Sequence, residues 1–200
     1  RLLLERGRSL AADATFEDAV SQAEAARDEP LIASCRIWQA AARTDAGRLT
    51  AAESRCRAVL IPAVLDRDER ARAEATLARI LVWQRRHDEA RRLDFLALRA
   101  VADSDPFVHG TAVRVLLASG DLFTAGQRAR DLVTATSASA DPLAQIIAVT
   151  AHLRVLLATG DLTLVDERVR ELRASARAAR VPLRFARVSV LLVDAYRRAG

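Results

Sequence analysis

The chain has 200 residues, of which 51% are hydrophobic and 28% are charged, so it can bury a sizeable core beneath a solvated surface. No apolar run approaches the roughly 20 residues of a membrane span, which argues against a transmembrane protein. The net charge of +5 is modest for this length and fits either solubility or an anionic partner.

Residue usage favours helices throughout the chain. Seven glycines and five prolines stand mostly at the edges of runs rich in Ala, Leu, Arg and Glu, which are strong helix formers. Apolar and polar residues rarely alternate as they do in a half-buried strand, so we predict an all-α fold. Because the chain lacks an initiator methionine and starts and ends within predicted helices, we expect it to be part of a longer protein.

The predicted helices follow one another with short interruptions. The first covers Arg1 to Ala12, and a capping arrangement of Thr15 with Asp18 predicts a second helix to about Asp28. The other helices are predicted over residues 31–46, 50–60, 68–86, 89–102, 107–119, 122–136, 143–159, 162–179 and 182–200. Thr50 and Glu53 form the pattern of a capping box at the start of the 50–60 helix.

Ten residues of the sequence recur almost unchanged. VRVLLASGDL, which begins at Val113, returns forty residues later as LRVLLATGDL. Gly120 and Gly160 suit the left-handed conformation that ends a helix, and Asp121 and Asp161 are predicted to cap the helices that follow. A fixed period of helical hairpins predicts a solenoid.

Smaller spacings carry a family resemblance. Gly7 stands twelve residues before Ala19, which is the last residue of the sequence FEDA that begins at Phe16. The same twelve-residue spacing of small residues recurs at Ala40 with Ala52 and at Ala78 with Ala90. Later units drift, since Val113 and Leu153 replace the small residue of the first helix. This pattern resembles the tetratricopeptide repeat (TPR), a helix-turn-helix unit of roughly 34 residues.

The resemblance implies a right-handed α-solenoid of about five hairpins plus a terminal helix. The units would cover residues 1–29, 30–65, 66–105, 106–141 and 142–181, with the final helix over 182–200. Degenerate, Arg- and Ala-rich arrays of this kind resemble those of large bacterial transcription regulators and signal-transduction ATPases. In that setting the array binds an effector or partner and reports it to the flanking domains of the same chain.

The family's concave groove is lined by positions eleven and eighteen residues before the small residue of each second helix. In this sequence the residues at the first of these positions, eleven before the small residue, are Arg8, Ala41, Arg79, Arg114 and Arg154. The residues eighteen before the small residue include Arg1, Arg72, Phe107 and Ile147. A row of guanidinium groups would bind an acidic peptide, a protein segment or a small anionic effector. Alternatively, these arginines cover apolar neighbours and pair with carboxylates of adjacent repeats.

A second set of arginines follows a helical stripe near the end of the chain. It consists of Arg170, Arg173, Arg177, Arg180 and Arg184. Such a stripe could contact nucleic-acid phosphates, although no aromatic residues interleave it for base stacking. A solvated outer face, or a surface that docks a neighbouring domain, is the alternative interpretation.

No pattern of catalytic or metal-binding residues occurs in the sequence. There is no phosphate-binding loop, no HExxH and no GxSxG, and His87, His109 and His152 are far apart. Cys35 and Cys56 lack zinc-finger or disulfide-framework spacing and are expected to be buried thiols. We therefore predict a cytoplasmic, non-enzymatic interaction or sensor module without cofactor or metal. A structural scaffold or dimerisation segment is the remaining alternative.

Overall fold

The computed structural model describes residues 2–5, 7–61, 65–100 and 105–179, together with positions 189, 190, 193 and 197. The predicted final helix over 182–200 therefore lies almost entirely outside the described residues. Every regular element within the described ranges is an α-helix. The helices are α1 Leu2–Glu5, α2 Ser9–Ala26, α3 Glu29–Asp45, α4 Leu49–Leu60, α5 Arg67–Trp83, α6 His87–Ala100, α7 Pro106–Ala118, α8 Leu122–Thr136, α9 Pro142–Thr159 and α10 Val165–Ala179.

The helices form two layers of an α-solenoid, which confirms the predicted fold class. Odd-numbered helices, here called A helices, pack side by side, α3 with α5, α5 with α7, and α7 with α9. Even-numbered helices are here called B helices, and each packs against the A helices that precede and follow it in the chain. For example, α4 packs against both α3 and α5. The main contacts thus join helices one or two places apart along the chain, as in repeat proteins generally.

Each A helix is joined to its B helix by a turn that contains one residue with positive φ. These residues are Gly7, Gly47, Arg85, Gly120 and Gly160, with φ between 61° and 81°. The predicted left-handed conformations of Gly120 and Gly160 are confirmed. The Asp121 cap is confirmed as well, because its Oδ1 accepts a hydrogen bond from the Thr124 amide at 3.1 Å. Asp161 instead binds the amide and hydroxyl of Thr163, and α10 begins later, at Val165.

The turn at Gly7 corrects the predicted start of the array. Gly7 lies in the turn after α1, whereas the sequence placed it within a helix. The predicted second helix from Thr15 is wrong, because α2 runs without a break from Ser9 and the Thr15 hydroxyl donates to the Ala11 carbonyl at 2.9 Å. The buried small residue five places after the turn is Ala12, which is 1% exposed. The first unit is therefore shifted by seven residues from its predicted register.

The predicted capping box of Thr50 and Glu53 is also wrong. Helix α4 begins at Leu49 with no side-chain cap. The Glu53 carboxylate instead accepts hydrogen bonds from Arg57, Gln84 and Arg86 at 2.8–2.9 Å. Although burial opposes the effect, the hydrogen bonds from Gln84, Arg57 and Arg86 lower the pKa of Glu53. Charged guanidinium donors outcompete a backbone amide for this carboxylate, and they tie α4 to the α5–α6 turn.

The core runs along the interface of the two layers and depends on close helix approach. One apolar cluster joins Leu77, Ile80 and Leu81 of α5 to Ala40 of α3 and Val115 of α7. A Cβ placed on Gly110 of α7 would lie only 2.6 Å from Cγ2 of Ile147 on α9. Adjacent A helices thus approach so closely at this point that a side chain at position 110 would require a shift of Ile147.

Helix α9 and the two cysteines all belong to this core. Over its 18 residues α9 has a mean hydropathy of 1.4, enough by length and composition for a membrane span, but half of it is buried among its neighbours. It packs between α8 and α10, as a core helix of a solenoid does. Cys35 and Cys56 are buried free thiols, as predicted. Burial raises the pKa of the Cys56 thiol to about 12.

Candidate interaction groove

A cavity opens on the surface formed by the A helices. It encloses about 270 Å³, and four consecutive A helices contribute to its walls. From α3 come Ser34, Ile37, Trp38 and Ala41; from α5 come Asp68, Glu69, Arg72 and Thr76; from α7 and its N-cap come Asp105, Pro106 and Phe107; from α9 and its N-cap come Asp141, Ala144 and Ile147. We call this surface the A-helix groove and this space the groove cavity.

One wall of the groove cavity is apolar and aromatic. Trp38, Phe107 and Ile147 are each half-buried, so each keeps a solvent-facing surface in the groove. The guanidinium carbon of Arg79 lies 5.7 Å from the centre of the Phe107 ring, over its face. This is the geometry of a cation–π contact, and it joins α5 to α7 at the groove.

The charged residues of the groove cavity come from the N-terminal ends of the A helices. Asp105 caps α7 through Oδ1, which accepts the Phe107 and Val108 amides, while its Oδ2 accepts a hydrogen bond from Arg72 Nε at 2.7 Å. Asp141 caps α9 by accepting the Leu143 amide at 2.9 Å. Carboxylates are favoured at these positions because they satisfy free amides and the positive end of the helix dipole.

Glu69 adds a further acidic group to this edge of the groove. It lies in the first turn of α5, three residues after the capping Asp66, whose Oδ1 accepts its amide hydrogen bond. Burial, followed by repulsion from Asp66, raises the pKa of Glu69. Glu69 is thus one of four carboxylates in the lining of the cavity, which has one guanidinium group, that of Arg72.

Three of the predicted groove arginines occupy equivalent positions on successive A helices. Arg79, Arg114 and Arg154 are half-buried on α5, α7 and α9. Arg79 also approaches the carbonyl oxygen of Ala41 on α3, at 3.5 Å. Arg72 and Phe107 both line the groove cavity. Their role in binding a partner stays a prediction.

Arg8 does not share the position of these arginines. It is exposed in the turn before α2, because the first unit starts seven residues earlier than the sequence suggested. The position equivalent to Arg79 in that unit is Arg1, which lies outside the described residues. The predicted alignment of Arg8 with the other arginines is therefore wrong.

The second predicted arginine set is only partly described. Arg170, Arg173 and Arg177 are exposed on α10, whereas Arg180 and Arg184 lie outside the described residues. Acidic side chains share the helix, and Arg168 pairs with Glu171 at 2.6 Å. The described part of this surface thus carries charges of both signs.

The three histidines are not assembled into a site. They lie on different helices, α6, α7 and α9, and no group of three His, Cys, Asp or Glu side chains that could hold a metal occurs in the described part of the chain. His152 is buried, and its pKa is lowered by that burial and by the nearby Arg168 and Arg130.

Sequence reasoning missed the carboxylates of the groove cavity. In the local sequence each of these aspartates marks only a helix start, whereas the solenoid brings successive helix starts to one edge. The signal was present in the recurrent Asp-Pro pairs, Asp105-Pro106 and Asp141-Pro142, because Pro marks the first turn of a helix and Asp its cap.

Comparison with solved structures supports the fold. The chain is similar to two crystal structures from Podosopora anserina of nearly identical TPR-like repeats assigned to a kinesin light chain. For the first, a variant with a single substitution, the sequence identity is 18%, the TM-score is 0.58, and the alignment covers 89% of this chain and 92% of the other. The second shows 17% identity, a TM-score of 0.55, and coverage of 88% and 91%. No protein-family model and no curated protein matches the sequence. The chain has a TPR-like helical-repeat fold.

Proposed function

We propose that the chain is a non-enzymatic interaction module that binds a segment of a partner protein along the A-helix groove. The observation that carries the proposal is the groove cavity, whose walls come from four successive A helices. A recess that crosses several repeats is suited to an extended segment, because each helix can contact a different residue of the partner. Interaction through such a surface is general for TPR-like repeats, which supports the assignment.

The lining of the cavity favours a polypeptide over a small anionic effector. Four carboxylates, those of Asp68, Glu69, Asp105 and Asp141, line the cavity with one guanidinium group, that of Arg72. A small anion in the cavity would meet mostly like charges, whereas a longer segment can place different side chains at the cavity and at the arginines. A small anionic effector is therefore the less favoured form of the proposal.

The arginines of the groove supply the proposed specificity. Arg79, Arg114 and Arg154 recur once per A helix, so carboxylates spaced along a partner segment would each meet one guanidinium group. The Arg- and Ala-rich style of the array supports its placement in a cytoplasmic, bacterial regulatory or signal-transduction protein. There the groove would report partner binding to flanking domains.

A peptide-display selection tests this proposal. A random peptide library is selected on the purified chain, and the enriched peptides are measured against the Arg79→Gln/Arg114→Gln variant by fluorescence anisotropy. We expect at least a tenfold loss of affinity. The matched control is Arg91→Gln/Arg92→Gln, two exposed arginines of the B helix α6, which should leave affinity unchanged. Failure to enrich any peptide contradicts the module, and equal affinities contradict the arginine row.

A second candidate function is nucleic-acid binding through α10. The exposed positions of Arg170, Arg173 and Arg177 on one stripe favour it. Titration with a fluorescent DNA or RNA duplex at two salt concentrations separates the candidates, since phosphate contacts weaken steeply with salt. Absence of binding at low salt eliminates this second function.

A further inference from the structure

The groove cavity has an excess of negative charge. Four carboxylates line it, those of Asp68, Glu69, Asp105 and Asp141, against the single guanidinium group of Arg72. Asp105 uses one oxygen for the α7 cap and the other for Arg72, so the charge of Arg72 is already matched. Among the described residues that line the cavity, no second cation balances the three other carboxylates.

The apolar wall lies in the same cavity as these carboxylates. Trp38 and Phe107 present aromatic surface, and Ile37 and Ile147 present aliphatic surface. The Phe107 ring already receives one guanidinium group, that of Arg79, on a face. The cavity therefore combines surfaces for a hydrocarbon chain with groups that attract a cation.

We propose that the groove cavity binds one Lys or Arg side chain of the partner segment. Its methylene groups would pack against Trp38 and Phe107, and its charged end would lie among Asp68, Glu69 and Asp141. The inference rests on the proposed function, because it assigns the chemistry of one subsite in the same groove. An acidic side chain is disfavoured here because like charges would surround it, and a neutral one would gain no attraction from the carboxylates.

This subsite gives the partner a definite charge pattern. Arg79, Arg114 and Arg154 lie further along the A helices than the N-terminal carboxylates, so two regions of opposite charge share the groove. A segment with one basic residue at the cavity and acidic residues toward the arginines complements both. Opposite charges arranged in this way fix the direction of a bound segment as well as its affinity.

The experiment uses Trp38 as the reporter of occupancy. The chain has two tryptophans, and Trp83, which is 61% exposed, is replaced by Phe so that Trp38 alone emits. Peptides selected from a random display library on this protein are titrated while the Trp38 emission is followed. We expect one position of the enriched peptides to be Lys or Arg. Replacing an Arg at that position by citrulline, its uncharged isostere, should weaken binding at least tenfold.

Matched variants of the protein assign the effect to the cavity. Asp68→Asn/Glu69→Gln should weaken the Arg peptide at least tenfold and change the affinity of the citrulline peptide less than twofold. Asp18→Asn/Asp131→Asn removes the same charge at exposed positions on B helices and should leave both affinities unchanged. Circular dichroism confirms that all variants remain folded.

The outcomes separate this inference from the proposed function. One outcome is that peptides bind Arg79→Gln/Arg114→Gln more weakly but bind Asp68→Asn/Glu69→Gln normally and keep their affinity when citrulline replaces Arg. This outcome would overturn the basic-residue subsite and would leave the interaction module supported. A library without an enriched peptide overturns both. Equal losses in Asp68→Asn/Glu69→Gln and Asp18→Asn/Asp131→Asn also overturn the subsite, because net charge alone then accounts for binding.

Discussion

Arg72 of α5 donates a hydrogen bond from Nε to Oδ2 of Asp105 across 2.7 Å, while the other oxygen of Asp105 caps α7. A single carboxylate thus both starts one A helix and ties it to the preceding one. The Arg72 side chain is 49% exposed, so the ion pair itself is expected to contribute no more than about 1 kcal/mol. The cap is the larger effect.

We expect Asp105→Ala to lower the free energy of unfolding by about 1–2 kcal/mol, since it removes both the cap and the ion pair. Asp105→Asn keeps a capping oxygen and should cost less than about 1 kcal/mol. Asp141→Ala, which removes a cap that has no ion pair with the described residues, is the matched control and should cost about 1 kcal/mol. Urea unfolding measures all three; an Asp105→Asn variant as unstable as Asp105→Ala would show that the ion pair dominates.

Two helical glycines should respond differently to alanine. At Gly126 a new Cβ meets only ordinary contacts at 3.5 and 3.7 Å, so Gly126→Ala should stabilise the chain by about 0.5–1 kcal/mol through helix propensity. At Gly110 the contact with Ile147 at 2.6 Å forces a shift, and overpacking of this kind costs about 1–3 kcal/mol. We therefore expect Gly110→Ala to be neutral or destabilising.

A double-mutant cycle checks the cause at Gly110. If the clash with Ile147 is responsible, Gly110→Ala should be less costly in an Ile147→Ala background, as measured by thermal and urea unfolding. Additive effects of the two substitutions would contradict the proposed clash.

The turn between α5 and α6 carries arginine where its counterparts carry glycine. Arg85 has φ of 61°, a conformation that costs a residue with a Cβ about 1–2 kcal/mol. Glycine relieves this cost but also raises the entropy of the unfolded chain, which offsets part of the gain. Arg85→Gly should therefore stabilise the chain by about 0.5–1 kcal/mol. Gly120→Ala, at φ of 81°, should destabilise it by about 1 kcal/mol. Urea unfolding measures both variants, and a lower free energy of unfolding in Arg85→Gly would contradict the proposed strain at Arg85.

Asp94 should make the stability of the array depend on pH. It is 5% exposed, and burial raises its pKa from 3.8 to about 7, with Arg128 opposing the shift. Because the folded-state pKa is the higher one, its stabilising contribution is complete below about pH 4 and is lost as the pH rises to about 7. A shift of this size corresponds to a loss of about 4 kcal/mol.

We expect Asp94→Asn to abolish this loss, so that the variant is more stable than the parent at pH 8 and no more stable at pH 4. Denaturant unfolding from pH 4 to 8 measures the difference. His152 acts in the opposite direction, because its lowered pKa removes stability as the pH falls through its normal value. Its effect is common to both proteins and cancels in the comparison. A difference that is constant with pH would contradict the assignment to Asp94.

The sequence predicts local features of the repeat well where short-range chemistry decides them. The turn at Gly120-Asp121 is an example, since a left-handed glycine and a capping aspartate act within four residues. The start of the array was misplaced because Gly7 fits both a helix interior of the family pattern and a turn. Only the burial of Ala12, which depends on packing against other helices, distinguishes the two.

The lining of the groove cavity is visible from the sequence only in part, for a similar reason. The family pattern includes the positions of Arg72 and Phe107, which line the cavity, but not those of its four carboxylates. Asp105 and Asp141 are 36 residues apart, and they line the same cavity only because parallel A helices place their N-termini along one edge. Their shared environment is a property of the stacked repeats and is not visible in either local sequence.

The near-identical sequences around Gly120 and Gly160 also bear on how such an array changes over evolutionary time. Eight of the ten residues in the two stretches are the same, and each hairpin packs mainly on its immediate neighbours. Unequal crossing-over between the two coding stretches would therefore delete or duplicate one whole hairpin and leave a junction of nearly the same sequence. Under the proposed function, the number of partner residues held in the groove would then change in single genetic steps.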